Sequence, residues 1–94
     1  MIRSFGSTST EQIWHGEMAK ALPTEIQQIA RRKLRMIHNA QSLQDMKIAP
    51  GNRLEKLKGT LKGFHSIRIN DKWRIIFIWK SVDAFDVEIT DYHG

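Results

Sequence analysis

The residues best suited to chemistry form a cationic set on two segments with strand-like alternation. In residues 65–70, Ser66 and Arg68 alternate with apolar side chains, and Arg74 lies in a second alternating run after a tight turn at 70–71. Because successive strand residues point to opposite faces, the spacing predicts that Arg68 and Arg74 share one face of a hairpin. Two guanidinium groups held so close favour a bound phosphate. A solvated sheet face is the simpler alternative.

Three lysines of the preceding loop extend this cationic set. Lys56, Lys58 and Lys62 are interleaved with leucines that can anchor the loop to a core. The lysines are then expected to point at solvent or at a ligand.

A possible acid–base set ends the chain. Asp91, Tyr92 and His93 follow one another directly where the last predicted strand should stop. Carboxylate, phenol and imidazole in one tripeptide can supply proton transfer near neutral pH. Taken alone, such a tail is more often incidental, and it gains interest only beside the arginine face.

The sequence lacks the residues that several other common kinds of functional site require. The chain has no cysteine, which removes disulfides, thiolate zinc sites and cysteine nucleophiles. The four histidines lack metal-site spacing, and there is no phosphate-binding glycine loop or serine-hydrolase motif. Asp86 and Glu88 could share a strand face and hold magnesium, but an exposed strand explains them better. We therefore expect no metal site.

The charge is concentrated in the middle of the chain. Residues 31–74 contain twelve Lys or Arg and three acids, whereas the flanks contain three bases and seven acids. A basic centre on a small protein attracts a polyanion, most commonly a nucleic acid. Charge placed for solubility is the alternative.

Periodicity predicts the elements that carry these groups. A strand is expected at residues 2–5, followed by a short helix capped at Thr8 or Thr10 and running through Trp14 and Met18. Pro23 opens a second helix, whose apolar stripe continues to Asn39. The other predicted segments are an irregular stretch over 40–63, a strand over 65–70, a central strand over 73–79 and a last strand over 84–91, with Phe85, Val87 and Ile89 inward.

These elements describe an α+β domain in which helices pack on a mainly antiparallel sheet. The 94 residues fit a single domain, 1–94. No stretch is long and apolar enough to span a bilayer, and the N-terminus lacks the apolar core of a secretory signal. We expect no membrane association and a cytoplasmic location.

Three segments resemble one known family. The runs at 52–59 (NRLEKLKG) and 65–75 (HSIRINDKWRI), together with the ending Asp91-Tyr92-His93, resemble the HigB toxins. These form the plasmid-maintenance killer branch of the RelE/ParE superfamily, which includes GraT-like toxins. The resemblance covers nearly the whole chain, and the strand pair with its terminal DYH is its most specific part.

The resemblance implies a toxin of a type II toxin–antitoxin pair. It implies a RelE/ParE-like fold, with two N-terminal helices packed on a small four-stranded sheet, and metal-independent cleavage of mRNA in the ribosomal A site without a cofactor. The implied partners are the ribosome and mRNA, a HigA-type helix-turn-helix antitoxin, and operator DNA through that antitoxin only.

The family's functional residues map onto this chain by the same resemblance. The catalytic set is Asp91, Tyr92, His93, Lys58, Arg68, Arg74 and Glu55. The neighbouring cations Lys56, Lys62, Lys72 and Arg53 are expected to bind RNA. Glu55 departs from the pattern, because some members carry a catalytic histidine there. Either Glu55 replaces that histidine as a base, or His93 carries more of the proton transfer.

Two other functions remain open on the sequence. The chain could be a ParE-like toxin that inhibits DNA gyrase without nuclease activity, although that branch generally lacks the terminal acid–base residues. It could also be a basic nucleic-acid-binding module without toxicity.

Overall fold

Three helices precede a small four-stranded sheet in a computed structural model that describes residues 1–91. In chain order the elements are α1 (Thr8–Trp14), α2 (Thr24–Asn39), α3 (Leu43–Lys47), β1 (Glu55–Lys56), a 3₁₀ turn (Gly59–Leu61), β2 (Phe64–Arg68), β3 (Arg74–Lys80) and β4 (Asp83–Thr90). The predicted α+β architecture is confirmed, with corrections in four regions: α1, residues 40–63, residues 2–5 and β4.

Helix α1 is capped one residue earlier, and ends earlier, than the sequence predicts. The Ser7 hydroxyl accepts a hydrogen bond from the Thr10 amide at 3.2 Å, so Ser7 is the N-cap. Gly16 adopts φ +81, and the Glu17 amide donates back to the Gln12 carbonyl. This Schellman motif ends the helix at Trp14, well before Met18.

Helix α2 follows the prediction closely. Pro23 takes the N-cap position, the helix ends at Asn39, and the stripe residues Ile26, Ala30, Leu34 and Ile37 are buried. Ile29, which the spacing also placed on the stripe, is only partly buried against the core.

The stretch predicted as irregular over 40–63 contains a helix, a strand and a 3₁₀ turn. Helix α3 spans only five residues, capped by the Ser42 hydroxyl and held to the core by buried Met46. Strand β1 has two residues, Glu55 and Lys56, which pair with Ser66 and His65. Neither element is long enough to show a periodic pattern, so the sequence could not reveal them.

The sheet is antiparallel throughout, with strand order β1-β2-β3-β4. Its fourth strand is β1, whereas the sequence predicted a strand at residues 2–5. That segment instead forms two isolated parallel bridges to β4, joining Ile2 to Ala84 and Phe5 to Val87. Strand β3 has a neighbour on each side, as its nearly continuous apolar sequence predicts.

A β-bulge in β4 changes which side chains face the helices. The register shifts between Ile76 and Ile78, and Asp86 adopts φ +53 at this point. Because one extra residue reverses the alternation, Ala84 and Val87 are both buried in the core. Phe85 is only partly buried, so its predicted inward orientation is wrong.

The helices and one face of the sheet enclose the core. Its buried members come from all three helices and from β2, β3 and β4, including Ile13, Ile37, Met46, Phe77 and Val87. Strand alternation then leaves Ser66, Arg68 and Arg74 on the face turned away from the helices. No helix within residues 1–91 is long and apolar enough to cross a membrane.

Candidate functional site: an anchored arginine pair

Arg68 and Arg74 lie directly opposite each other on β2 and β3, as the sequence predicts. The Arg68 amide donates to the Asn52 carbonyl rather than across to β3, at 2.6 Å. The two arginines therefore form a non-hydrogen-bonded pair, in which opposed Cα atoms approach to about 4.5 Å. Like charges placed this way repel, so each guanidinium needs a local restraint.

Three groups restrain Arg74. Its Nε donates to Ser66 Oγ at 2.8 Å, and a terminal nitrogen donates to the Arg53 carbonyl at 2.8 Å. Glu55 Oε1 lies 3.8 Å from the same terminal nitrogen. The Arg74 side chain is only 15% exposed, whereas that of Glu55 is 58% exposed. Arg74 is thus fixed in direction beside an accessible carboxylate.

Arg68 is restrained from the turn that joins its strand to β3. Its guanidinium pairs with the Asp71 carboxylate, and its side chain is 29% exposed. Asn70 Oδ1 accepts from the backbone amides of Lys72 and Trp73, which closes the turn. This Asx-type turn explains why Asn70-Asp71 suffices without glycine.

A buried polar cluster lies behind the two arginines. The Lys33 ammonium donates to Asn52 Oδ1 at 2.9 Å and to the Arg68 carbonyl at 2.6 Å. Burial lowers the pKa of Lys33, and the nearby charges of Arg32, Arg68 and Arg74 lower it further. Asn52 is fully buried. The site is consequently a region of concentrated positive charge, which favours an anion.

The predicted loop lysines form a separate part of the surface. Lys56, Lys58 and Lys62 line an open cavity of about 290 Å³ together with Leu57 and Gly59. Lys58 lies three residues beyond Glu55. The structure therefore brings Glu55, Arg68 and Arg74 together and groups the loop lysines with one another at a separate cavity.

The remaining predicted RNA-binding residues occupy the edges of the site. Arg53 is exposed and adopts φ +46, the conformation in which its carbonyl meets Arg74. The Lys72 ammonium lies 5.8 Å from the centre of the Trp73 ring.

Of the three predicted C-terminal residues, only Asp91 lies within the described part of the chain. Thr90 is the partner of Arg74 on β4, and Asp91 follows it as an exposed residue. Tyr92 and His93 lie outside the described residues. The predicted acid–base role of these last residues therefore stays a prediction.

The acidic residues of β4 do not gather into a metal site. Among residues 1–91, no three His, Asp or Glu side chains converge on a point that could hold a metal ion. Asp86 sits at the bulge and pairs with Ser4, while burial raises the pKa of Glu88. The bulge breaks the alternation on which a shared carboxylate face depends.

Sequence reasoning missed the groups that hold the arginines. Ser66 was recognisable as a face residue, but its fixed bond to Arg74 was not. Lys33 had a recognisable signal, since it stands three residues after Ala30 and four before Ile37, a buried stripe position. Asn52 gave no signal beyond its turn-forming context.

Comparison with known proteins agrees with this architecture. A family model described as "RelE-like toxin of type II toxin-antitoxin system HigB" matches residues 3–93. Toxin HigB-1 of Vibrio cholerae is 45% identical over 60 residues, covering 64% of this chain and 63% of that protein. An uncharacterised protein of Haemophilus influenzae is 28% identical over 67 residues, covering 71% and 66%. The chain thus spans slightly less than two thirds of each relative.

Solved structures support the fold alone. Two YoeB–YefM complexes from Staphylococcus aureus contain chains that superpose with TM-scores of 0.61 and 0.58 at 18% identity. In both, the match covers 100% of this chain and 99% of the other. Because the family model matches residues 3–93, the chain belongs to the HigB family of RelE-like toxins of type II toxin–antitoxin systems.

Proposed function

We propose that this toxin is an endoribonuclease that cleaves mRNA on the ribosome and thereby stops translation. The observation that carries the proposal is the opposed pair Arg68 and Arg74, restrained by neighbours yet still partly exposed. Such a pair suits one phosphodiester, whose oxygens accept charge-assisted hydrogen bonds. The basic centre of the chain suits docking on ribosomal RNA, which would keep the toxin in the cytoplasm.

The proposed reaction is a transesterification without metal. A base removes the proton from a ribose 2′-hydroxyl, and that oxygen attacks the adjacent phosphorus. The bond to the 5′ oxygen breaks, and an acid protonates the leaving oxygen, giving a 2′,3′-cyclic phosphate and a 5′-hydroxyl. Arg68, Arg74 and Lys58 stabilise the charge that grows on the phosphate oxygens.

Proton transfer is assigned to Glu55 and to the C-terminal residues. The Glu55 carboxylate lies 3.8 Å from the Arg74 guanidinium and is accessible, so it can accept a proton beside a bound phosphate. His93 is the alternative base, with Asp91 and Tyr92 as supporting groups. Glu55→Gln and His93→Ala separate the two, because the loss of the base removes the ascending limb of the pH–rate profile.

The decisive experiment measures single-turnover cleavage of mRNA on programmed ribosomes at saturating toxin. We expect Arg74→Ala and His93→Ala each to lower the rate by about 10²–10³, the usual loss for one transition-state donor or proton carrier. Growth inhibition after induction should be lost in parallel. Arg35→Ala is the matched control, because it removes the same charge from the exposed surface of α2.

Three outcomes contradict the proposal. Full activity in both variants refutes the site, and efficient cleavage of naked RNA refutes ribosome dependence. Growth inhibition without any new mRNA 5′ ends points instead to a non-nuclease toxin of the ParE type.

We also propose a protein antitoxin as the partner. One of the matched S. aureus structures is a heterotetrameric YoeB–YefM toxin–antitoxin complex, and the matching family model describes toxins of type II toxin–antitoxin systems. A HigA-type antitoxin with a helix-turn-helix domain would link the toxin to operator DNA. An adjacent gene encoding such a domain, and copurification of its product, are the expected results.

A further inference from the structure

Lys33 is a buried charged group that the proposed reaction does not use. It belongs to α2, on the helix side of the sheet, and is only 7% exposed. Burying an ammonium among apolar residues is unfavourable unless its donors are satisfied. A lysine in the buried stripe of a helix therefore calls for a specific explanation.

The ammonium of Lys33 joins two segments that converge on the arginine pair. It donates at 2.6 Å to the carbonyl of Arg68, the last residue of β2. It also donates at 2.9 Å to Asn52 Oδ1, in the segment just before β1. These two acceptors place one cation at the point where the strand end meets the loop.

Asn52 in turn contacts two helices on one side and the backbone of Arg68 on the other. Its side-chain amide donates to the Met46 carbonyl and to Met36 Sδ, each at 3.0 Å. Its own carbonyl accepts from the Arg68 amide at 2.6 Å. Both backbone polar groups of Arg68 are consequently held, one by Asn52 and the other by Lys33.

The next residue along the loop holds the second arginine. Arg53 adopts φ +46, and in that conformation its carbonyl accepts from the Arg74 guanidinium at 2.8 Å. A non-glycine residue in the left-handed region needs support from its surroundings. The Lys33–Asn52 contact, one residue away, supplies a buried anchor for that conformation.

We propose that Lys33 is a positioning residue, which fixes the strand end at Arg68 and the loop carbonyl at Arg53 so that both arginine side chains meet one phosphate. Its effect on cleavage rests on the function proposed above, whereas its effect on arginine order does not. The lowered pKa of Lys33 fits this arrangement. Burial disfavours its charged form, and so do the nearby charges of Arg32, Arg68 and Arg74. Lys33 itself would not touch the RNA.

The first test is independent of RNA and uses nitrogen-15 NMR of the full chain. In the unmodified protein, the Lys33 ammonium should give a slowly exchanging signal, whereas exposed Lys20 should not. In Lys33→Met, which keeps the apolar stem, exchange of the Arg74 Nε–H should accelerate about tenfold or more, as loss of a buried charged hydrogen bond implies. Lys20→Met is the matched control and should leave Arg74 unchanged.

Two results would overturn the proposal in this test. One is the absence of a protected Lys33 ammonium in the unmodified protein, which needs no variant to fold. The other is unchanged Arg74 exchange in a folded Lys33→Met protein.

The second test measures single-turnover cleavage on programmed ribosomes. Lys33→Met should lower the maximal rate by about 10–100-fold, within the loss seen for a displaced transition-state donor, while half-saturation changes by no more than about twofold. A raised half-saturation with an unchanged maximal rate would contradict a positioning role. If the unmodified chain cleaves nothing, the proposed function fails, and the NMR result still decides whether Lys33 orders the arginines.

Discussion

At the scale of single residues, the site depends on what a guanidinium can do and an ammonium cannot. Arg74 donates simultaneously to a hydroxyl and a carbonyl from two different nitrogens, and both bonds are 2.8 Å long. The rigid fork of arginine permits this while a further edge stays available to an anion. A lysine at the same position would supply the charge, but its three donors would radiate from a single nitrogen instead of from the separate nitrogens of a planar fork.

This distinction predicts the behaviour of Arg74→Lys. We expect the proposed cleavage to fall by about 10²-fold although the net charge is unchanged, because one ammonium nitrogen cannot take the places of the two guanidinium nitrogens that reach Ser66 and Arg53 and also bind phosphate. Single-turnover cleavage measures the loss, and Arg35→Lys is the control on the exposed face of α2. A rate within threefold of the unmodified toxin would show that charge alone suffices.

His65 supplies a second prediction at this scale. It is partly buried, its Nδ1 has no hydrogen-bond partner among the described residues, and it stacks on Phe77 with ring centres 6.1 Å apart. Burial lowers the pKa of His65, and the charge of Lys56 lowers it further. The unfolded chain therefore binds a proton at higher pH than the folded chain, and stability falls as pH drops below about 6.5.

Replacing His65 should remove this part of the pH dependence. His65→Leu is expected to gain stability relative to the unmodified chain as pH falls from 7 to 5, in denaturant unfolding at each pH. His15→Gln, at an exposed histidine, is the control and should not reproduce the trend. A constant difference between His65→Leu and the unmodified chain across this range would contradict the assignment.

At the scale of elements, the bulged strand β4 and the N-terminal segment depend on each other. The Ser4 hydroxyl donates to the Asp86 carboxylate and accepts from the Asp86 amide at the bulge. Gly6 then passes so close to β4 that an added Cβ would meet Glu88 Oε1 at 2.8 Å and the Asp86 carbonyl at 3.2 Å. Because glycine has no Cβ, the chain can pass this close to β4 before α1 begins.

Gly6→Ala should accordingly destabilise the fold by about 1–3 kcal/mol, the usual range for overpacking. Denaturant unfolding measures the change in the free energy of unfolding. In a Glu88→Ala background the same substitution should cost less, because the carboxylate that it meets is gone. Equal costs in both backgrounds would mean that the contact with Glu88 is not the cause.

At the scale of the whole molecule, the hydrophobic core and the candidate site occupy opposite faces of the sheet. The core joins the helices to one sheet face, and the arginine pair lies on the other face. Twelve of the fifteen basic residues fall between positions 31 and 74. Such a concentration favours long-range attraction to a polyanion.

On the proposed function, binding to ribosomes should weaken steeply as salt rises. The logarithm of the association constant is expected to fall linearly with the logarithm of salt concentration, with a slope that grows with the number of phosphate contacts. Replacing Lys56 and Lys62 together with methionine should reduce that slope by about two. An unchanged slope in equilibrium binding would exclude these lysines from the contact.

Much of the candidate site follows from local pattern. Alternation of side chains over 65–70 and after residue 73, joined by a short turn, forces Arg68 and Arg74 onto one face, because a strand has a period of two. The stripe of α2 likewise identifies its buried side, and the family motifs pointed to Glu55 and to the C-terminal residues as site candidates. The first two features depend on neighbours in sequence, so the sequence by itself determined them, whereas the roles of Glu55 and of the C-terminal residues stay predictions.

Other features arise only from contacts between distant segments. A two-residue strand has no period to detect, and β1 exists because β2 offers it an edge. The bulge at Asp86 reverses the predicted orientation of Phe85 through one extra residue. The bonds from Lys33 to Asn52 and to Arg68 cross 19 and 35 positions of the chain. Tertiary structure alone decided these, because their stabilising partners meet only when the helices pack against the sheet.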